Sequence, residues 1–358
     1  FRKLIQRFQT AARALERLPG VVRECGWDTE RFRLCTVAEA EAELEGLERI
    51  GGHLLLLADA AYPERLRRTD DPPPVLSVRG DPTLLAQPSV ALVGARNASG
   101  NGRAFAERLA RELTGEGLVV VSGLARGIDT AAHQGALEGG ATVAVVASGI
   151  DVAYPPENAR LMERIAADGA VVSERPLGRE PQARHFPRRN RMIAGLSLGV
   201  VVVEAAPKSG SLITARLAAE QGREVMAVPG SPLDPRHRGT NRLLRDGATL
   251  VEDAAEVMDA LRSQIDARLP RPAPEPPVVQ RREVEQRAVR SPLAVAAGDD
   301  LPVRSRIRTR LGPEPLLVDE LIRQCDASSA EVQQALIELE LEGRIERHPG
   351  NRVSLASA

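Results

Sequence analysis

Between Val119 and Leu137 the chain reads VVVSGLARGIDTAAHQGAL: an apolar run, then Ser122-Gly123, Arg126 and Gly127, then a helical pattern. A turn of this composition suits an anion, because glycine lets backbone N–H groups come close and a helix amino end adds partial positive charge. No lysine follows it as in a Walker loop, and the glycine spacing of a dinucleotide fingerprint is missing. Similar turns recur. VGARNASGNG sets Gly94 and Arg96 after another apolar run, Ser148-Gly149 closes a third, and Pro229-Gly230 closes a fourth. EAAPKSGSLITA places Lys208, Ser209, Gly210 and Ser211 immediately before a helical stretch. Each turn alone has a purely steric reading as the end of a strand. Several on one edge describe a track for phosphates rather than a single pocket.

A second cluster lies in SERPLGREPQARHFPRRNRMIAGLS. Between Arg175 and Arg191 stand six arginines (175, 179, 184, 188, 189 and 191) with one acid, Glu180, and with Phe186. Guanidinium groups clamp phosphates, and an aromatic ring or guanidinium plane can stack a base. On this reading Arg184, Phe186, Arg188, Arg189 and Asn190 bind. The competing reading is a solvated loop in which Phe186 plugs the core and the arginines pair with strand-end acids such as Glu174 and Glu204. Catalysis has little support. No Ser-His-Asp or Cys-His arrangement and no carboxylate pair at acid/base spacing is visible. His133 reads as a packed residue, and Asp129 with Thr130 as helix-start chemistry. No catalytic residue, metal site or cofactor is expected.

These turns need a scaffold that brings them together. Over residues 88–264 apolar, β-branched runs (SVALVG, LVVVSG, TVAVVAS, AVVSE, GVVVVEA, EVMAVPG, ATLVED) alternate with amphipathic helical stretches. Strands buried on both faces and alternating with helices imply a doubly wound, mostly parallel, Rossmann-like α/β sheet, with ligands beyond the carboxyl ends of its strands. Residues 1–60 read as a helical domain, in which LERLPG is either the turn of a nucleic-acid-binding helical hairpin or a plain helix end. Residues 61–87 read as a proline-rich connector with one short strand, and 265–305 as a proline-rich linker. Residues 306–358 read as a winged helix, with Ser328 and Glu331 as a capping box and GRIERHPGNRVSL as two strands around Pro349-Gly350-Asn351. From Glu314 to Ala358 nine acidic residues face four arginines. That balance favours protein contact over duplex readout.

The 358 residues carry a formal net charge of −1, so any basic footprint is local. Aromatic residues make up 2% of the chain, and its two lysines are Lys3 and Lys208. The three cysteines fit neither a zinc spacing nor a disulfide framework. No secretory segment is visible and the apolar runs are too short to span a bilayer, so a cytoplasmic location and no membrane partner are expected.

In order, VGAR, SGLARGIDTAAHQGAL, AVVASGIDVAYPPEN, VVSERPLG, FPRRNRMIAGLS, VVEAAPKSGSLITA and AVPGSPLDPRHRGTNRLLRDGA resemble the DprA family, the DNA-processing proteins of bacterial natural transformation. The resemblance implies a non-enzymatic protein that binds single-stranded DNA through the Rossmann-like domain. It further implies protection of incoming strands, loading of the RecA recombinase onto them, and a homodimer formed through that domain. On the matching positions Gly94, Arg96, Ser122, Gly123, Arg126, Gly127, the Arg184–Asn190 segment and Lys208–Ser211 form the DNA-binding edge. Pro156 departs from the pattern, since relatives can carry a lysine there. The alternative is a Rossmann-like enzyme of the nucleotide phosphoribohydrolase type. VPGSPLDP lacks the second glycine and the downstream Thr-x-x-Glu that such enzymes use.

Overall fold

The apolar runs form strands of one nine-stranded sheet in a computed structural model that describes residues 2–26, 34–266, 303–311, 316–325, 329–341, 344–348 and 352–355. Helices α1 (Arg2–Phe8), α2 (Ala11–Glu24) and α3 (Val37–Arg49) come first, followed by β1 (Gly52–Leu56), α4 (Glu64–Arg67) and β2 (Val75–Gly80). Regular alternation then runs through β3 (Ser89–Val93), α5 (Gly100–Gly115), β4 (Val119–Ser122), α6 (Ile128–Gly139) and β5 (Thr142–Val145). It continues with α7 (Ala159–Asp168), β6 (Ala170–Ser173), α8 (His185–Leu196), β7 (Gly199–Val202) and α9 (Gly210–Glu220). It closes with β8 (Glu224–Ala227), α10 (Arg238–Arg245), β9 (Thr249–Leu250) and α11 (Ala254–Asp266).

The strand order is β1-β2-β6-β5-β4-β3-β7-β8-β9. Every pairing from β6 across to β9 is parallel, whereas β1–β2 and β2–β6 are antiparallel. Ala91 of β3 lies opposite Val121 of β4 on one side and Val200 of β7 on the other. The chain moves outward from β3 in one direction, then returns to β3's other side with β7. The crevice between the loops after β3 and β7 is therefore the switch point where doubly wound sheets take their ligands.

All five residues of β3 are buried, as a strand covered on both faces requires. Val93, Val121, Val145 and Val202 share one apolar layer with Met192 and Ile193 of α8. Val90, Leu92, Val120 and Val201 share the other with Leu109 and Leu113 of α5 and Ile128 of α6. The helical front is tied to this body. Leu47 of α3 packs with Ile150 and Met162, and Glu43 accepts a hydrogen bond from the Leu177 N–H at 2.8 Å.

One expectation changes: residues 52–56, read within a helical domain, form β1. The short strand expected in the connector at 61–87 is β2, which pairs with β6 and extends the sheet. HLLLL is a short apolar run without helical periodicity or turn residues inside it, so its pairing partner decides its conformation.

A separate unit spans Glu275–Ala358. In it α12 (Val303–Arg310), β10 (Leu316–Leu317), α13 (Val318–Cys325), α14 (Ser329–Leu341), β11 (Ile345–His348) and β12 (Arg352–Leu355) form a winged helix with strand order β10-β12-β11. Leu321, Val332, Leu336, Leu339, Ile345 and Val353 build its core. Ser328, the Pro349–Asn351 turn and most of the 265–305 linker lie outside the described residues.

Candidate nucleic-acid interface

The Ser122–Gly127 turn grips itself. The Ser122 hydroxyl is fully buried and donates to the Leu92 carbonyl at 2.6 Å. Leu124 has a left-handed φ of 57°, and its N–H donates to His133 Nε2 at 3.3 Å. His133 is fully buried. Its Nδ1 lies 2.8 Å from Thr142 Oγ1, which itself donates to Val120 O, so Nδ1 carries the proton. Burial, aided by the nearby Arg189 charge, pushes the His133 pKa down to about 3, and the ring is neutral. The Ala125 N–H donates to Asp129, the Gly123 N–H bonds the same carboxylate, and Thr130 Oγ1 donates to Ala125 O at 2.7 Å. Asn158 Nδ2 donates to Leu124 O at 2.9 Å.

Arg189 completes the lock. Its buried guanidinium donates to the carbonyls of Gly123 and Val145, beside the buried Asp129. Burial raises the Asp129 pKa and lowers that of Arg189, while each charge offsets the other's shift. A side chain at Gly123 would overlap the Arg189 guanidinium. One at Gly94 would lie 2.5 Å from Ile128, and one at Gly127, whose φ is +77°, would strike the Ala95 carbonyl. Ser122 therefore does not present itself to a ligand as expected, and Gly123 and Arg189 reach the edge of a cavity with their polar groups already engaged. The amides of Gly123, Leu124 and Ala125 are already occupied by Asp129 and His133. Gly94 and Gly127 serve the close approach of β3 to α6. Arg126 is exposed but ion-paired with Glu157, which holds its pKa up.

What opens to solvent is the crevice next door. A cleft of about 520 Å³ at the switch point is lined by Gly94, Arg96, Asn97, Phe186, Arg189, Asn190, Lys208, Ser209, Gly210, Ser211 and Arg236, among others. Arg96 and Lys208 are exposed and, among the described residues, have no carboxylate within ion-pair distance. Arg96 Cζ sits 5.0 Å from the Phe186 ring centroid, and the Tyr154 ring lies 5.8 Å beyond at 57°. Arg96, Arg126, Tyr154, Phe186 and Arg189 line a smaller adjoining pocket. At α9 the Ser209 Oγ accepts from the Ser211 N–H at 3.4 Å and contacts Ser211 Oγ at 2.7 Å. Asn190 Nδ2 reaches the Gly210 carbonyl at 3.3 Å, tying α8 to this amino end. Space beside Gly210 is open, so α9's positive end and Lys208 face the cleft together.

The arginine cluster divides between its two readings. Arg175 and Arg191 pair with Glu174, and Arg191 also reaches Asp71 at 3.7 Å. Arg184 and Arg188 are exposed but line neither cavity. Among the described residues no arginine lies within ion-pair distance of Glu204. It is fully buried at the amino end of α5, accepts from the Ser99 N–H at 2.9 Å and from the Ser99 hydroxyl, and lies 3.7 Å from His237 Nε2. The position where a Rossmann fold seats a ligand's phosphate thus holds the protein's own carboxylate. Sequence reasoning assigned Glu204 to an arginine rather than to Ser99, and it missed Tyr154. Tyr154 is one of two tyrosines, set in a Pro-Pro loop at a strand end, which is the signal that could have found it.

A Rossmann-like sheet, a cationic cleft with a stacking aromatic at its switch point, a helical front and a winged-helix tail define a nucleic-acid-handling class of protein. The chain matches the family of the DNA recombination-mediator protein A over residues 53–262, the DprA-like N-terminal HHH domain over 1–46 and the DprA winged helix domain over 291–351. It is 37% identical over 331 residues to Protein Smf of Escherichia coli, covering 92% of this chain and 84% of that one. Two solved structures are similar. DNA processing protein A of Streptococcus pneumoniae matches with TM-score 0.59 at 40% identity, over 70% of this chain and 82% of that one. DNA processing protein A of Helicobacter pylori, described with its single-stranded DNA binding mode, matches with TM-score 0.54 at 31% identity, over 60% and 96%. The chain belongs to the DNA recombination-mediator protein A (DprA) family, and its role is in DNA processing. Among the described residues no helix is long and apolar enough to cross a membrane, and no cluster could hold a metal ion.

Proposed function

We propose that this protein binds single-stranded DNA in the Arg96–Phe186–Lys208 cleft without catalysing a reaction on it. It shields the strand and loads RecA recombinase onto it, acting in the cytoplasm as a homodimer formed through the Rossmann-like domain. The observation that carries the binding is the pairing, in one cleft, of a stacking surface with cations that no described carboxylate reaches within ion-pair distance. Arg96 and Lys208 meet α9's amino end there, and the Arg96 guanidinium lies over Phe186. Phosphates take the cations and the helix end, while bases stack on ring or guanidinium planes. RecA loading and the homodimer rest on the family resemblance.

Two features favour binding over turnover. His133, on the helix after the glycine-rich turn, is neutral and sealed, and Glu204 fills the α5 amino end that a nucleotide-cleaving relative would offer to phosphate. Incubation with nucleoside monophosphates should release no base. The direct test is a gel shift of single-stranded against duplex DNA at about 50 and 200 mM salt. Single strands should be retained in preference, with affinity falling steeply as salt rises. Arg96→Ala should weaken retention and leave the fold intact. Equal retention of duplex, or full retention by Arg96→Ala, would overturn the proposal.

A further inference from the structure

The cleft has a rim that continues beyond it. The α10 helix begins where the cleft ends. Ala205, three residues before Lys208, donates its N–H to the Arg236 carbonyl at 2.7 Å and accepts from the Gly239 N–H at 2.8 Å. A side chain at Gly239 would sit 2.5 Å from the Ala205 carbonyl, so the backbone contact sets the helix's position. Asn241 fixes it to the preceding loop, accepting from the Gly230 N–H at 3.2 Å and donating to the Gly230 carbonyl at 2.8 Å. One side of α10 faces the protein, with Gly239 and Thr240 buried and Leu243 packed on the sheet's core.

The other side carries Arg238, Arg242 and Arg245, all exposed. Their i, i+4, i+7 spacing puts them within a sector of about 60° on the helix, over a length of about 10 Å. A solvated helix face ordinarily mixes both signs. RGTNRLLR contains no acid, and the following Asp246 pairs with Arg242 at 3.5 Å. Among the described residues Arg238 and Arg245 have no carboxylate within ion-pair distance.

We propose that the Arg238–Arg242–Arg245 face of α10 is a second, outer phosphate track, which takes the single strand as it leaves the cleft over Lys208 and Arg236. The inference rests on the cleft being the strand's seat. It adds a direction of exit and a dependence on strand length. A short strand fills the cleft and never reaches α10, whereas a longer one lies along it and releases further counterions.

The experiment compares the full chain with the Arg238→Gln/Arg242→Gln/Arg245→Gln variant on oligothymidylates of about 4 to about 20 nucleotides. Affinity is measured by fluorescence anisotropy at several salt concentrations. Short strands should bind both proteins alike, which also reports that the variant is folded. On the longest strands the variant should bind roughly tenfold more weakly at low salt, and its salt slope should be shallower by about 2, near 0.7 for each lost phosphate contact. Asp246→Asn, which releases Arg242, should strengthen long-strand binding alone. Unchanged long-strand affinity and slope in the triple variant would overturn the track, and the face would then serve another partner, such as an acidic protein surface. Loss of binding equal at every length would also overturn it. Failure of the cleft itself would show differently, as weak binding by the unaltered protein to strands of every length.

Discussion

His133 offers a quantitative test of the claim that the glycine-rich turn is held from within. Its ring is fully buried and neutral, donating from Nδ1 to Thr142 and accepting at Nε2 from the Leu124 N–H. Its pKa falls from 6.5 to about 3, with burial the larger cause and Arg189 the second. The unfolded chain takes up the proton first, so folding stability is lost as pH drops from 6.5 toward 3. Working the linkage with these two values gives a loss of about 2 kcal/mol between about pH 7 and pH 5. His185 also has its pKa lowered, by burial first, and titrates in the same direction, so the informative quantity is a difference between proteins. Urea unfolding followed by circular dichroism should show His133→Gln losing about 2 kcal/mol less than the unaltered protein over that interval. Proton NMR of the unaltered protein should show one histidine that does not titrate above about pH 5. An equal pH slope in the variant, or a His133 ring titrating near 6.5, would refute the internal lock.

Two further outcomes separate buttress from contact. Arg189→Leu should lower unfolding free energy by about 3–5 kcal/mol, because it removes the charge that offsets the buried Asp129 carboxylate and the donor to the Gly123 and Val145 carbonyls, while Arg96→Ala should change it by no more than about 1 kcal/mol. Equal stabilities in thermal or urea unfolding would contradict that division. Phe186→Leu should weaken oligothymidylate binding by about 1–3 kcal/mol with little change in salt slope, since it removes stacking and no charge. A changed slope with unchanged affinity at low salt would contradict the stacking role.

The sheet was legible because its strands carry their instruction locally. SVALV and its neighbours are β-branched, short and bounded by turn residues, and the helices between them have clear starts, as Ser99 caps α5. β1 was not legible, and the connector's short strand, β2, gave no sign of the sheet it joins, because both are additions whose place depends on pairing with each other and with β6. At the cleft, Arg96, Phe186 and Lys208–Ser211 could be read from residue type and position. Ser122 and Gly123 were read as ligand-facing because their type fits that role equally well. What reassigns them is partners distant in sequence: Leu92 for Ser122, and Arg189 for Gly123. The same holds for Glu204, whose meaning comes from Ser99, about a hundred residues earlier. A loop that satisfies its own amides looks, in one dimension, like one waiting for an anion.

The most direct measurement is photocrosslinking of an oligothymidylate carrying 5-iodouracil, with the attachment sites mapped by mass spectrometry. The account predicts crosslinks in peptides containing Tyr154 or Phe186, lost when Arg96 and Lys208 are both replaced by glutamine. Crosslinks confined to α1–α3 or to the winged helix, with none on the peptides lining the cleft, would contradict it.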